Sequence, residues 1–184
     1  MSNTIEMSQI LICCVAVFSG GILQGCLGFG FAFIALPVFA LFIAPALATP
    51  LIVMLSLILN FIVIFSCKEY ANKKIIGYLL IGGIVGPPLG THLLKHVDPF
   101  VYTLAVGVLI MIAAGLFLAD KRYPLKETMI NSFPAGFVSG VLNASIGLSG
   151  PPVVLFMSNQ SFNKNVMRAT LIGYFLIINT ITLF

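Results

Sequence analysis

The chain has 184 residues, 60% of them apolar and 8% charged, with a net charge of +4 and a mean hydropathy of +1.14. Soluble domains carry about 25% charged residues, so an ordinary soluble fold is excluded, and the apolar runs suit a polytopic α-helical membrane protein. The nine Lys and Arg are scattered among loops, which reports membrane topology rather than nucleic-acid binding, and the alternating strands of a membrane β-barrel are not seen.

The N-terminus carries Glu6 and no Lys or Arg, unlike a cleavable signal peptide, so the first apolar segment is expected to be retained. Residues 8–44 form one apolar stretch, too long for a single crossing of about 20 residues. It is divided by Gly20-Gly21-Ile22-Leu23-Gln24-Gly25-Cys26-Leu27-Gly28-Phe29-Gly30. Backbone groups freed inside a bilayer cost several kcal/mol each unless protein or water satisfies them. A break there therefore implies a purpose. The pattern predicts a helix over 8–24, a break over 25–30 and a second helix over 31–43.

An uncharged turn at Ala44-Pro45-Ala46 leads to a span over 49–66 that holds Ser56 and Asn60. Lys68, Glu69, Lys73 and Lys74 mark a solvent loop. The next span, over 75–94, carries Gly82, Gly86 and Gly90 on one helix face, a packing surface, and Pro87-Pro88 is expected to kink or interrupt it. Lys95, His96 and Asp98 end this span. A plain apolar span follows over 100–119, then a second charged loop from Asp120 to Glu127.

The glycine-rich pattern returns at Ser139-Gly140-Val141-Leu142-Asn143-Ala144-Ser145-Ile146-Gly147-Leu148-Ser149-Gly150. A shift of 119 residues aligns Phe18 with Phe137, Gly21 with Gly140, Gln24 with Asn143, Gly28 with Gly147 and Asn60 with Asn179. The chain reads as a duplication. Residues 1–125 form the first repeat, a broken helix plus three spans, and 126–184 a partial second repeat, a broken helix plus one span. A complete second copy is expected to need further spans, from a longer chain or from a partner.

The two charged loops fall on one side, the cytoplasmic one, because two spans separate them. If each broken segment crosses the bilayer, Lys164 and Arg168 join Lys95 outside. If each folds back as a hairpin, they join Lys68, Lys73, Lys74, Lys121, Arg122 and Lys126 inside. The second arrangement has the stronger charge asymmetry. It makes the repeats inverted, each with a Gly-broken hairpin followed by transmembrane helices, an architecture common in secondary transporters. The expected location is the cell inner membrane, with several passes.

Glycine-rich breaks suit an anion. The helix that starts after each break presents unpaired N–H groups and the positive end of its dipole. Starts near Phe31 and Pro151 are expected to cradle one oxyanion without a buried Lys or Arg. The candidate contacts are Gln24, Gly25, Gly28 and Gly30 from the first break and Asn143, Ser145, Gly147, Ser149 and Gly150 from the second. The paired amides Asn60 and Asn179 complete the set. The competing reading of the amides is that they tie neighbouring helices together. Ser145 and Ser149 equally suit bonds to their own helix.

No enzyme motif is present, whether zinc-protease, nucleophile elbow or phosphate loop, and no cofactor is implied. Cys13, Cys14, Cys26 and Cys67 lack metal-ligand spacing, and His92 and His96 read as interfacial residues beside Lys95. Two glycosylation sequons, at Asn143 and Asn159, fall at membrane depth and on the cytoplasmic side. All five carboxylates, Glu6, Glu69, Asp98, Asp120 and Glu127, lie at loops or span ends. No carboxylate proton carrier is therefore expected inside the membrane.

The duplicated G-x-x-x-G/A-x-x-G-x-G/S motif, in modules of about three helices, resembles the sulfite exporter TauE/SafE family of membrane permeases. The resemblance spans residues 18–184, with Gly150-Pro151-Pro152 a departure where the motif has further glycine. It implies transport of small sulfur-containing anions such as sulfite or sulfonates, or of related organic anions. The expected partners are a small anionic substrate, the lipid bilayer and a homo-oligomeric or complementing chain. Two rivals stay open: an amino-acid-like or neutral solute on the same scaffold, and a non-transporting subunit that packs through its glycine faces.

Overall fold

The structure is a computed structural model that describes residues 7–118, 128–160 and 162–183. The expected charged loop at 120–127 lies outside the described residues, as do Glu6 and the last position of the Asn159 sequon. The described residues are helical throughout, with no strand among them.

Helix α1 (Met7–Leu27) continues past Gln24, through Gly25 and Cys26, and ends where Gly28 takes φ 84°. Gly30, at φ 116°, caps α2 (Phe31–Phe42). These left-handed angles suit glycine alone. The break is therefore residues 28–30, shorter than the expected 25–30. A turn this tight sends α2 back along α1, so Gly20 abuts Phe31 and Cys13 and Val17 reach the core around Phe39.

Helix α3 (Pro45–Ile64) starts on Pro45, whose missing N–H is not needed in a first turn. A 3-10 turn (Lys68–Tyr70) follows, and the Ile75 N–H donates to Asn72 Oδ1 (3.3 Å) to cap α4 (Lys73–His96). Helix α5 is Pro99–Leu118. Helix α6 (Met129–Ile146) ends at Gly147, φ 75°, and α7 (Gly150–Ser158) begins one residue before the expected Pro151. Helix α8 is Lys164–Leu183. Five described helices, α1, α3, α4, α5 and α8, are long and apolar enough to cross a membrane.

The largest helix contact joins α4 and α6, which lie parallel and nearly backbone to backbone. A Cβ on Gly86 would sit 2.5 Å from Val141 N, and one on Gly82 would strike the Phe133 carbonyl. The expected interruption at Pro87-Pro88 does not occur; α4 is continuous. Pro87 cannot donate to the Gly83 carbonyl, and that freed oxygen faces Gly140 of α6. The close packing that glycine allows thus occupies the site where the helix lacks a bond.

Helices α3 and α8 lie antiparallel, with Asn179, in the last turns of α8, bonded to Ser56 near the middle of α3, and Gly173 beside Ile64 at the end of α3. At that end the Asn72 N–H donates to Thr170 Oγ1 (3.0 Å), and Cys67 packs with Ala169. Lys164 and Arg168 therefore start α8 on the face that carries Lys68, Lys73 and Lys74. One apolar core lies under Phe31, Leu36, Ile52 and Tyr102, and a second under Leu79, Met157, Leu171 and Tyr174.

Candidate functional site

The turns after α1 and α6 meet at one small cavity, about 20 Å³ in volume. From the first side Gln24, Phe29, Gly30, Ala32 and Phe33 line it; from the second, Gly147, Leu148, Ser149 and Gly150. Ser56 of α3 and Phe175 of α8 complete the wall. No charged side chain takes part. Ser56 stands 11 residues beyond Pro45 in α3, about 16 Å along the axis, which is half of a hydrocarbon layer about 30 Å thick. Phe175 stands equally far into α8.

Backbone donors surround this space. The Phe31 N–H donates to Gln24 Oε1 (3.3 Å), and the Phe33 N–H turns back to the Gly30 carbonyl (3.1 Å). Among the described residues no acceptor takes the N–H of Gly30, Ala32, Ser149 or Gly150. Pro151 and Pro152 offer no N–H, so α7 presents fewer donors than its length suggests.

Behind the cavity runs a chain of amides. Gln24 Nε2 donates to Asn60 Oδ1 (2.6 Å), and Asn60 Nδ2 to Ser56 Oγ (3.4 Å). From the other side Asn143 Nδ2 donates to Asn179 Oδ1 and to Thr182 Oγ1, both at 3.0 Å. Asn179 Nδ2 then donates to Ser56 Oγ (3.1 Å). All four amides are at least 98% buried. In this setting such bonds hold helices together, and leaving one unmade is costly.

The candidate residues thus separate into three groups. Gln24, Gly30, Gly147, Ser149 and Gly150 line the cavity. Asn60, Asn143 and Asn179 lie one layer behind it, bonded to each other or to Ser56. Gly25, Gly28 and Ser145 lie elsewhere. Gly25 is an ordinary helical residue with open space at its Cβ position, and Gly28 abuts the Arg168 backbone. Ser145 Oγ donates to the Val141 carbonyl (2.8 Å) and its residue borders an apolar hollow with Tyr102 and Leu142. Ser145 serves its own helix, whereas Ser149 borders the cavity.

Ser56, Phe175, Phe29, Ala32, Phe33 and Leu148 are the lining residues that sequence reasoning missed. The 119-residue shift pairs Ser56 with Phe175, but a hydroxyl opposite a ring gives no signal of a shared place. Arg168 is a further surprise. Its Nε is buried without a partner among the described residues, and its backbone supports the Gly28 turn. His92 and His96 are exposed near the end of α4, and no group of three or more metal-ligating side chains occurs among the described residues.

The model of the sulfite exporter TauE/SafE family matches residues 12–184 of the chain. No curated protein and no solved structure matches it.

Proposed function

Because the chain belongs to the sulfite exporter TauE/SafE family, membrane transporters of sulfite and related anions, we propose that it carries a small sulfur-containing or related organic anion through the cavity between its two helix breaks. The observation that supports this most is that the lining residues Gly30, Ala32, Ser149 and Gly150 carry N–H groups with no acceptor among the described residues, around a space without a charged side chain. Helix N-termini bind anions through such donors and their dipole, without the desolvation cost of a buried Lys or Arg. A cavity of about 20 Å³ holds one water. An oxyanion of several heavy atoms therefore requires the breaks to move apart, and this arrangement is the closed form.

The duplication fits the same reading. Helix α3 spans Pro45–Ile64 and α8 Lys164–Leu183, each bound displaced by 119 residues. Their antiparallel course and the matched Gln24–Asn60 and Asn143–Asn179 bonds support inverted repeats, 1–125 and 126–184, in the cell inner membrane. Inverted repeats allow one central site to be reached from either side in turn. Sulfite flux into liposomes holding the purified chain tests the proposal, and competition by sulfonates, carboxylates and neutral amino acids separates the substrate classes.

One observation favours the second reading, a membrane subunit that needs a complementing chain. The face of α6 with Gly140 and Ala144 is covered by α4, whereas on α1 the counterpart of Gly140, Gly21, meets only the Leu59 side chain, and Gly25, Cys14, Phe18 and Ile22 are left uncovered. A glycine-faced helix like α4, from a complementing chain, would cover them. Anion flux by the chain reconstituted alone, with each liposome holding a single copy, removes this reading.

A further inference from the structure

Ser56 is the one hydroxyl on which both amide chains converge. Asn60 Nδ2 reaches its oxygen at 3.4 Å and Asn179 Nδ2 at 3.1 Å. A serine oxygen has two lone pairs and one proton, so these two amides occupy its acceptor capacity. What remains is the O–H. Elsewhere in the helices a hydroxyl gives its proton to the carbonyl one turn back: Ser145 to Val141, Thr180 to Leu176 and Thr182 to Ile178. Ser56 makes no such bond, to Ile52 or to any other acceptor among the described residues. It borders the cavity at mid-depth, opposite Phe175.

We propose that the Ser56 hydroxyl is a substrate contact, held as an obligate donor by Asn60 and Asn179, and that it selects for a ligand with a strong oxygen acceptor. The inference rests on the anion reading of the cavity. The two amides fix the direction of the Ser56 proton because a lone pair is not left to receive one from the ligand. A bound oxyanion gains a donor there, while a ligand that brings only N–H or O–H groups to this point meets a second proton and is rejected. Phe175, 119 residues along the chain from Ser56, supplies an apolar wall, so the Ser56 hydroxyl adds a side-chain donor to the backbone donors that its counterpart does not match.

Equilibrium binding to the detergent-solubilised full chain tests this separately from transport, with sulfite and the weak acceptor thiocyanate as probes. A hydrogen bond to a charged group contributes about 1.5–3 kcal/mol, so Ser56→Ala is expected to weaken sulfite binding by about 10-fold or more. Thiocyanate binding changes less than threefold, and Ser56→Thr restores sulfite affinity. Since alanine leaves two buried amides without an acceptor, Ser56→Cys is measured beside it. Its thiol keeps a weak acceptor for the amides, and the same selective loss of sulfite is expected. Unchanged sulfite affinity in both variants overturns the proposal, as does an equal loss for the two anions. Wild-type chain that binds sulfite but does not move it contradicts the transport reading and leaves the Ser56 comparison intact. Wild-type chain that binds neither anion overturns both.

Discussion

Gly28 rests on the backbone of Arg168: a Cβ at Gly28 would lie 2.9 Å from the Arg168 carbonyl oxygen and 3.1 Å from its Cα. The corresponding glycine of the other break, Gly147, faces Ile52 Cγ2 at 3.2 Å and the Thr49 carbonyl at 3.6 Å. Thr49 and Arg168 are themselves 119 residues apart. Each break is thus seated near the start of a long helix, Gly28 on α8 and Gly147 on α3. This is what holds the two turns close enough to share a cavity.

The two seats differ in tolerance. Gly28→Ala meets rigid backbone and a φ of 84°, and is expected to lose about 2 kcal/mol or more of stability. Gly147→Ala, at φ 75°, meets the buried Ile52 side chain at 3.2 Å rather than backbone at 2.9 Å, and is expected to lose somewhat less. Gly77→Ala, in α4 with nothing within 4 Å of its Cβ position, is expected to be neutral or slightly stabilising. Thermal unfolding of the three variants in detergent checks the order; a Gly28→Ala protein as stable as Gly77→Ala contradicts it.

At the α4–α6 contact, Gly86→Val forces the two helices apart because a Cβ there already lies 2.5 Å from Val141 N, 2.7 Å from Phe137 O and 2.8 Å from Gly140 C. Loss of folded protein on expression is expected. Gly107→Val on α5, where the position is open, is expected to express at the level of the wild type. Size-exclusion profiles of the two variants make the comparison.

Much of this arrangement was legible in the sequence. The broken apolar stretch, the charged turn at Lys68–Lys74 and the buried amides 119 residues apart all follow from polar groups being rare and costly in a membrane. The limits of each break were not. Glycine permits a left-handed turn without requiring one, so Gly25 reads like Gly28 although it stays helical. Of the kink or interruption expected at Pro87-Pro88, the interruption does not occur, and only the fold brings Gly140 against the freed Gly83 carbonyl. Ser56 was silent because a serine in an apolar run usually bonds its own helix. Its role depends on Asn179, 123 residues away.

Within the amide chain, position relative to the cavity should separate function from structure. Gln24 lines the cavity and bonds the first N–H of α2, so Gln24→Leu is expected to reduce anion flux at least 10-fold. Asn179→Leu leaves buried Asn143 short of an acceptor and costs about 1–3 kcal/mol of stability. The two losses are distinguished by measuring flux per folded molecule alongside unfolding temperature. Equal effects on both readouts for both variants would remove the distinction between lining and supporting amides.

Topology is testable by thiol labelling. Asn163 is exposed just before α8, and Lys73 is exposed at the start of α4 on the same face. Cysteines placed at either position are expected to label from the cytoplasmic side only. The native Cys67 gives little background, because burial pushes its thiol up from the ordinary range and leaves less thiolate at neutral pH. Labelling of position 163 from the outside alone contradicts inverted repeats.

Glu69 and Asp98, the carboxylates among the described residues, lie outside the five helices long enough to cross a membrane. Anion export is then expected to follow membrane potential rather than a proton gradient, with about 2.3 kcal/mol per charge available at 100 mV, or roughly a 50-fold equilibrium gradient. The most direct measurement is sulfite flux through liposomes holding the purified chain, with voltage and pH gradient set independently. A cavity-centred anion site predicts sulfite movement that scales with voltage, persists without a pH gradient and falls at least 10-fold in Gln24→Leu. Absence of sulfite movement at any voltage, or flux that Gln24→Leu leaves unchanged, would contradict it.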